Sequence, residues 1–299
     1  MSIGRVASVT DTGKRRLRNE DAFVCDPPLF AIADGMGGAQ AGEIASGLAA
    51  AAIAERERGV RGEAAVTELV QAANARVYRR ALEDPAAAGM GTTVTVALVD
   101  AEANTLTIGH VGDSRAYRIR GDRLEQLTAD HSLVAELVRT GRLTPEQAAE
   151  HPHRSVITRA VGTEPNVDVD TFTMETAAGD LYLLCSDGLT DMVDDVGILT
   201  IAGSAAREPE AVARLLVEGA NLAGGVDNIT VVAFEIVEGA PQPEPSPAEV
   251  APAEVPPAQT IAAPVRKRGA GKGGRALAVL GLMVVLAAAA LVVWWSIKR

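Results

Sequence analysis

Four apolar runs in this chain border an aspartate that sits next to glycine or a tight turn, and this arrangement constrains the fold more than any other feature. Asp34 closes Leu-Phe-Ala-Ile-Ala and precedes Gly35-Met36-Gly37-Gly38. Asp113 follows a strand pattern within Val111-Gly112-Asp113-Ser114-Arg115. Asp187 follows Leu-Tyr-Leu-Leu-Cys-Ser, and Asp227 stands between Gly224-Gly225-Val226 and Asn228-Ile229-Thr230-Val231-Val232. A charged carboxylate at the end of a buried strand must reach solvent, a cation or a hydrogen-bond donor, because an unpaired buried charge is very costly. One Asp-Gly alone is an ordinary turn signal. Four in this arrangement suggest convergent carboxylates, the hard-oxygen environment that Mg²⁺ and Mn²⁺ prefer. The adjacent glycines let backbone carbonyls and phosphates approach closely.

Periodicity places strands at Ile3–Val9, Leu29–Ala33, Thr92–Asp100, Thr105–His110, Arg115–Arg120, Asp180–Cys185 and Ile229–Ile236. Helices are expected at Glu43–Arg58, Glu63–Leu82, Leu133–Thr140, Pro145–Glu150 and Glu210–Leu222. Thr144-Pro145-Glu146-Gln147 has the composition of a capping box with Pro at the first helical position. Strands adjoin one another in mid-chain and helices come in pairs, which suggests an antiparallel sheet layered with helices rather than a doubly wound parallel sheet. The two cysteines, Cys25 and Cys185, read as reduced thiols of a cytosolic domain rather than a disulfide framework. His110, His131, His151 and His153 have no spacing that resembles a closed zinc site.

Composition changes at residue 239. Eight prolines between Gly239 and Pro264 remove backbone donors and favour an extended linker over packing. The whole segment 239–275 reads as a Pro/Ala-rich linker ending in a basic juxtamembrane stretch. Residues 276–295 contain no charge. At 1.5 Å per residue they span about 30 Å, the thickness of a bilayer core. Trp294 and Trp295 lie where interfacial aromatics belong. Arg266, Lys267, Arg268, Lys272 and Arg275 precede the span, while only Lys298 and Arg299 follow it. The positive-inside rule therefore places the preceding residues in the cytoplasm. The expected organisation is a catalytic domain at 1–238, a linker at 239–275 and a single-pass transmembrane helix at 276–295, in the cell membrane.

Charge excludes one class. Residues 1–265 hold 39 Asp and Glu against 21 Lys and Arg, a formal charge of −18. No nucleic-acid partner is expected for so acidic a domain, which also argues against a membrane-tethered metallonuclease.

In order along residues 1–238, the motifs resemble those of the metal-dependent protein phosphatase family, the type 2C serine/threonine phosphatases in their bacterial form. The carriers are Thr10-Asp11-Thr12-Gly13, Arg16 and Asn19-Glu20-Asp21, then Asp34-Gly35-Met36-Gly37-Gly38 and Gly91-Thr92-Thr93. Gly112-Asp113-Ser114-Arg115, Ser186-Asp187-Gly188 and Asp227-Asn228-Ile229-Thr230 complete the series. The resemblance implies an α+β fold, a four-layer α-β-β-α sandwich with two central antiparallel sheets and metals in a cleft at one edge.

The resemblance also implies roles. Asp34 bridges two Mn²⁺ or Mg²⁺ ions, the Gly35 carbonyl binds one of them, and Asp187 and Asp227 hold the other. Asp113, with Asp187, holds a possible third ion. Glu20 and Asp21 act near the metals through water. Arg16, expected on the strand leading into Glu20 and Asp21, grips the substrate phosphate. Arg15 and Arg18 read as solvated charges beside it.

Two close divalent ions lower the pKa of a shared water and stabilise in-line displacement at phosphorus, so neither Ser114 nor Ser186 is needed as a nucleophile. Where eukaryotic relatives carry a histidine after the bridging Asp-Gly, this chain has Met36. A metal-bound water or a histidine of segment 130–162, which resembles the bacterial flap, is left as the leaving-group acid. The implied partners are phosphoserine and phosphothreonine proteins and an opposing membrane Ser/Thr kinase, with the enzyme a monomer. A pseudophosphatase that only docks is disfavoured because every metal acid is present. A phosphatase for sigma-factor antagonists is the rival within the same chemistry.

Overall fold

The computed structural model describes residues 1–37, 41–55, 59–239 and 249–250. Two antiparallel sheets form its centre. The first has strand order β1-β11-β10-β7-β8, built from β1 (Ser2–Asp11), β11 (Ile229–Val237), β10 (Leu181–Cys185), β7 (Arg115–Arg120) and β8 (Arg123–Gln126). The second runs β12-β2-β3-β5-β6-β9: β12 (Glu249–Val250), β2 (Asp21–Asp26), β3 (Leu29–Met36), β5 (Val94–Asp100), β6 (Thr105–Val111) and β9 (Asp170–Glu175). A two-residue strand, β4 (Gly91–Thr92), pairs with the end of β3.

Both faces of the central strands are buried, which explains why they read as unbroken apolar runs. Along β3, Leu29, Ala31 and Ala33 face one core while Phe30 and Ile32 face another. Along β11, Ile229, Val231 and Ala233 alternate with Val232, Phe234 and Ile236 in the same way. The core between the sheets is keyed by Phe30 stacked on Phe234, with ring centroids 4.0 Å apart, and by Tyr182 against Phe234 at 5.2 Å. Few aromatics are present, and these three are spent where two sheets must interlock.

Helices cover the outer faces. α1 (Ala41–Ala54) and α2 (Gly62–Glu83) pack on the second sheet through Ala45, Ala49, Ile53, Val66, Val70, Ala73 and Val77. α6 (Asp195–Ser204) and α7 (Pro209–Ala223) cover the first sheet through Ile198, Ala202, Val212, Leu216 and Ala220. Three cores separating helices, sheet, sheet and helices make the four layers expected from the sequence. α3 (Leu133–Arg139) and α4 (Pro145–Ala149) lie in the segment between β8 and β9. The capping box forms at Thr144 and Gln147. A one-turn helix, α5 (Asp187–Thr190), follows β10.

Several elements differ from the sequence expectation. β2, β8, β9 and α6 were not anticipated. The run expected at Thr92–Asp100 breaks at Thr93, whose hydroxyl accepts a hydrogen bond from Asp34 N–H (2.9 Å) and pairs with Ser114 Oγ (2.7 Å). Within the segment read as an unpacked linker, Glu249–Val250 instead pair with Cys25 and Val24 of β2. The outer edge of β2 offers free backbone groups that an extended segment can satisfy. Cys185 is buried and Cys25 partly so, and neither forms a disulfide among the described residues. Among the described residues no helix is long and apolar enough to cross a membrane. The expected span at 276–295 and most of the linker lie outside the described residues, as do Gly38 and residues 56–58.

Candidate active site

At one edge of the sandwich, strand ends from both sheets meet at a cavity of about 390 Å³. Its walls include Arg16, Glu20, Asp34, Gly35, Asp113, Asp187 and Asp227, contributed by five separate stretches of chain. Asp21 does not line it. Asp21 is the cross-strand partner of Asp34 in the β2–β3 register, one layer behind the cleft wall. Like charges directly opposite in a sheet destabilise it, so this pairing needs a compensating feature.

Part of the compensation is polar. Asp21 Oδ2 accepts hydrogen bonds from Ser186 Oγ (2.9 Å) and Thr230 Oγ1 (2.5 Å). Its other oxygen, Oδ1, is buried and has no hydrogen-bond partner. Burial is the largest cause of the upward pKa shifts that run through the cluster. It lifts Asp21 to about 6, aided by the Asp227 charge, and lifts Asp113 to about 6, aided by Asp130. Asp34 and Asp187 are raised well above the usual carboxylate range, by burial first and then by repulsion from their neighbours. Glu20 is also raised by burial.

An orphaned buried oxygen and a ring of mutually repelling carboxylates form a donor set of hard oxygens that fits Mg²⁺ or Mn²⁺. Among the described residues no three His, Cys, Asp or Glu side chains close on one point as a ready-made cage. The carboxylates wall an open cleft, which suits ions that keep several waters.

The backbone beside the acids is built for close approach. An added Cβ at Gly35 would lie 2.1 Å from the Gly42 carbonyl oxygen, and one at Gly188 2.0 Å from that of Asn228. No side chain fits at either position. Asn228 locks the surrounding loops: its Oδ1 accepts from Glu20 N–H (2.8 Å), and its Nδ2 donates to the carbonyls of Thr12 (2.9 Å) and Arg18 (2.8 Å).

Arg16 lies in the turn after β1, not on a strand as expected from sequence. It still reaches the cleft, because the turn folds back onto the α7–β11 connection. Its Nη2 donates to Asp227 Oδ2 at 2.6 Å, and Nη1 lies 3.8 Å from Glu20. Burial opposes the guanidinium charge, but the Asp227 hydrogen bond and charge outweigh it, so the Arg16 pKa is raised.

No histidine lines the cleft among the described residues. His131 is buried at the root of the 130–162 segment, its Nδ1 accepting from Gly112 N–H at 3.0 Å. His151 and His153 tilt against each other, ring centroids 5.7 Å apart. Met36 lines the cleft where eukaryotic relatives have histidine. Sequence reading missed Asp191, Arg154, Ser155, Ile157, Met192 and Val226, which complete the wall. Asp191 follows Asp187 by four residues, one helical turn, a spacing that could have indicated it. Its carboxyl is raised by burial and lies 3.8 Å from Arg154.

Two stacked antiparallel sheets, flanked by helices and carrying an acidic cleft where strand ends meet, define a sandwich protein whose site suits divalent cations. Similarity is more specific. Residues 13–212 match the model of the family described as protein phosphatase 2C. The serine/threonine protein phosphatase PstP of Mycobacterium tuberculosis is 42% identical over 239 residues, covering 78% of this chain and 45% of that protein. The present chain thus spans under half of the mycobacterial relative. The serine/threonine phosphatase stp of Listeria welshimeri is 37% identical over 238 residues, covering 76% of this chain and 93% of the relative. A crystal structure of the PstP catalytic domain in complex with two manganese ions superposes with a TM-score of 0.71. It is 40% identical, and the match covers 79% of this chain and 99% of that one. The chain belongs to the protein phosphatase 2C family, whose members use Mn²⁺ or Mg²⁺.

Proposed function

We propose that this chain is a membrane-anchored serine/threonine protein phosphatase that hydrolyses phosphoserine and phosphothreonine on cytoplasmic proteins. The observation that carries this reading is the convergence of Arg16, Glu20, Asp34, Gly35, Asp113, Asp187 and Asp227 on one cleft. Residues 1–238 form the catalytic unit.

Asp34, the Gly35 carbonyl, Asp187 and Asp227 are the residues that would hold a pair of ions. Asp113 with Asp187 would hold a third, and Glu20 and Asp21 would act through water. When bound, these ions supply an activated water and neutralise charge on the phosphoryl group. The chain's own residues do the rest. Arg16 presents a planar fork to phosphate oxygens from a turn that Asn228 keeps in place. Thr93 fixes the backbone of Asp34 through its N–H (2.9 Å) and carbonyl (2.9 Å). Ser186 and Ser114 are buried and already bonded to Asp21 and Thr93, so neither is available as a nucleophile. Met36 has no proton to give, so the leaving group takes its proton from water or from a histidine of segment 130–162.

Incubating residues 1–238 with p-nitrophenyl phosphate and phosphoproteins, with Mn²⁺ and then with chelator, tests the reading. Activity that requires the metal and is restricted to phosphoserine and phosphothreonine is expected. Undiminished activity in metal-free protein would refute it.

The anchor is part of the same proposal. Residues 276–295 span the membrane, the basic stretch before them stays in the cytoplasm, and the counterpart by chemistry is a membrane Ser/Thr kinase whose products this site removes. A reporter fused after Arg299 should work only if it requires the external compartment. Digestion of the phosphatase unit by protease added to intact spheroplasts would overturn this topology.

A further inference from the structure

The turn between β1 and β2 carries more than Arg16. Between Asp11 and Arg18 the chain has four cations, Lys14, Arg15, Arg16 and Arg18, against a single acid, in a protein of net charge −11. This turn is held firmly. Lys14 N–H donates to the Gly225 carbonyl (2.7 Å), Asn221 Nδ2 to Asp11 Oδ1 (3.0 Å), and Asn228 to the Thr12 and Arg18 carbonyls. Gly13 has φ of +75°, and a Cβ there would fall 2.1 Å from the Asp227 carbonyl oxygen.

On this fixed backbone Leu17 is 100% exposed. Val226, on the turn to which the segment is stitched, is 50% exposed and also lines the cleft. Lys14 and Arg15 are exposed and form no ion pair among the described residues. A large apolar side chain held rigidly in water at the mouth of a cleft, beside two uncommitted cations, has the composition of a recognition surface rather than of a loop tip.

We propose that this rim docks the polypeptide segment that bears the phosphorylated residue, and that it selects acidic and apolar side chains next to that residue. The proposal rests on the phosphatase reading of the cleft. Two observations fix the chemistry of the occupant. Arg16 belongs both to the cleft and to the rim, so a chain whose phosphate meets Arg16 runs onto Arg15 and Leu17 within a residue or two. Lys14 and Arg15 are exposed and paired with no acid among the described residues, so acidic flanks find attraction at this turn. Basic flanks meet repulsion from Lys14 and Arg15.

The test compares kcat/KM of the full chain, in detergent with Mn²⁺, on p-nitrophenyl phosphate and on two phosphothreonine peptides. The peptides differ only in their flanks, one acidic and leucine-bearing, the other lysine- and serine-bearing. The wild type should favour the acidic peptide by about tenfold, as expected of two exposed charge pairs and one apolar contact. That advantage should shrink toward unity as salt rises to about 0.5 M, where screening is strong. Lys14→Glu combined with Arg15→Glu should reverse the preference, and Leu17→Ser should lower kcat/KM for the acidic peptide several-fold. Both variants should leave p-nitrophenyl phosphate hydrolysis unchanged.

A wild type that hydrolyses p-nitrophenyl phosphate yet treats the two peptides alike overturns the docking proposal and leaves the phosphatase reading intact. So does a reversed-charge variant that keeps the acidic preference. If that variant also loses p-nitrophenyl phosphate activity, the wild-type salt series decides: a salt-independent preference overturns the proposal. Failure of the wild type on all three substrates overturns both readings.

Discussion

Replacing Asp34 with asparagine should separate stability from activity. In the metal-free protein Asp34 faces Asp21 across the β2–β3 pair and shares the cleft with Asp113, Asp187 and Asp227. Its carboxyl is raised by burial first and then by Asp21 and Asp187, and its neighbours carry the same kind of burden. Asp21 and Asp113 are each held at about 6, against an ordinary 3.8. For a carboxyl raised in the folded state, the sign is destabilising: the unfavourable energy is full above the folded value and vanishes as pH falls below the unfolded one. Two pH units correspond to roughly 3 kcal/mol per group at neutral pH. The groups share the same repulsion, so removing the Asp34 charge should stabilise the metal-free fold by less than the sum of their separate burdens. For a unit of this size each kcal/mol moves Tm by about 2–4 °C. Asp34→Asn should therefore melt several degrees above wild type in chelator at pH 7.5, gain less than wild type from added Mn²⁺, and lose orders of magnitude in turnover. Thermal melts with and without Mn²⁺, beside p-nitrophenyl phosphate kinetics, make the comparison. An asparagine variant that melts lower than wild type in chelator would refute the argument that the carboxylates strain the empty-handed fold.

Arg16→Ala should raise KM by about 1.5–3 kcal/mol, roughly tenfold to over a hundredfold, with a smaller change in kcat, since it removes charged hydrogen bonds made before and during reaction. An unchanged KM in steady-state assays contradicts its placement on phosphate. Asp113→Ala should lower kcat with little change in KM and shift the Mn²⁺ titration, because Asp34, Asp187 and Asp227 remain; wild-type kinetics at every Mn²⁺ concentration count against it. Gly13→Ala should lower both stability and activity, as its methyl would strike the Asp227 carbonyl at a left-handed φ; wild-type melting would show that the turn is not held as described. His110 is pushed down to about 3, by burial first and then by His131. Its unfolded form takes a proton near 6.5, so its burial costs up to roughly 1.4 kcal/mol per pH unit below that value, until about pH 3. His110→Gln should flatten the acid side of the stability profile, and identical slopes in denaturant titrations between pH 7 and 4 would contradict this.

The parts of the fold that were legible in the sequence are those whose signal is local. β3, β10 and β11 are continuous apolar runs because both their faces are buried, and each is bordered or closed by one of the cleft aspartates. β2 was missed since Asp21-Ala-Phe-Val-Cys-Asp is short and bracketed by acids, and only pairing with β3 makes it a strand. β9 alternates weakly, with Asp170, Thr173 and Glu175 exposed at a sheet edge. α6 has apolar residues around much of its circumference and carries little helical periodicity. At the site, residue types and order pointed to the carboxylates, but distance did not. That Arg16 comes from a turn and rests on Asp227 depends on Asn228 joining residues more than two hundred positions apart. That Asp21 stands behind the wall rather than in it depends on Ser186 and Thr230.

The most direct test of the metal mechanism is hydrolysis of a phosphothreonine peptide by the full chain after exhaustive chelation, followed by stepwise return of Mn²⁺ with bound metal counted by elemental analysis. The account predicts negligible turnover without metal and activity that rises as at least two ions bind per chain, with Asp187→Asn failing to recover at the same metal concentration. Full turnover in protein shown to contain no metal would contradict it.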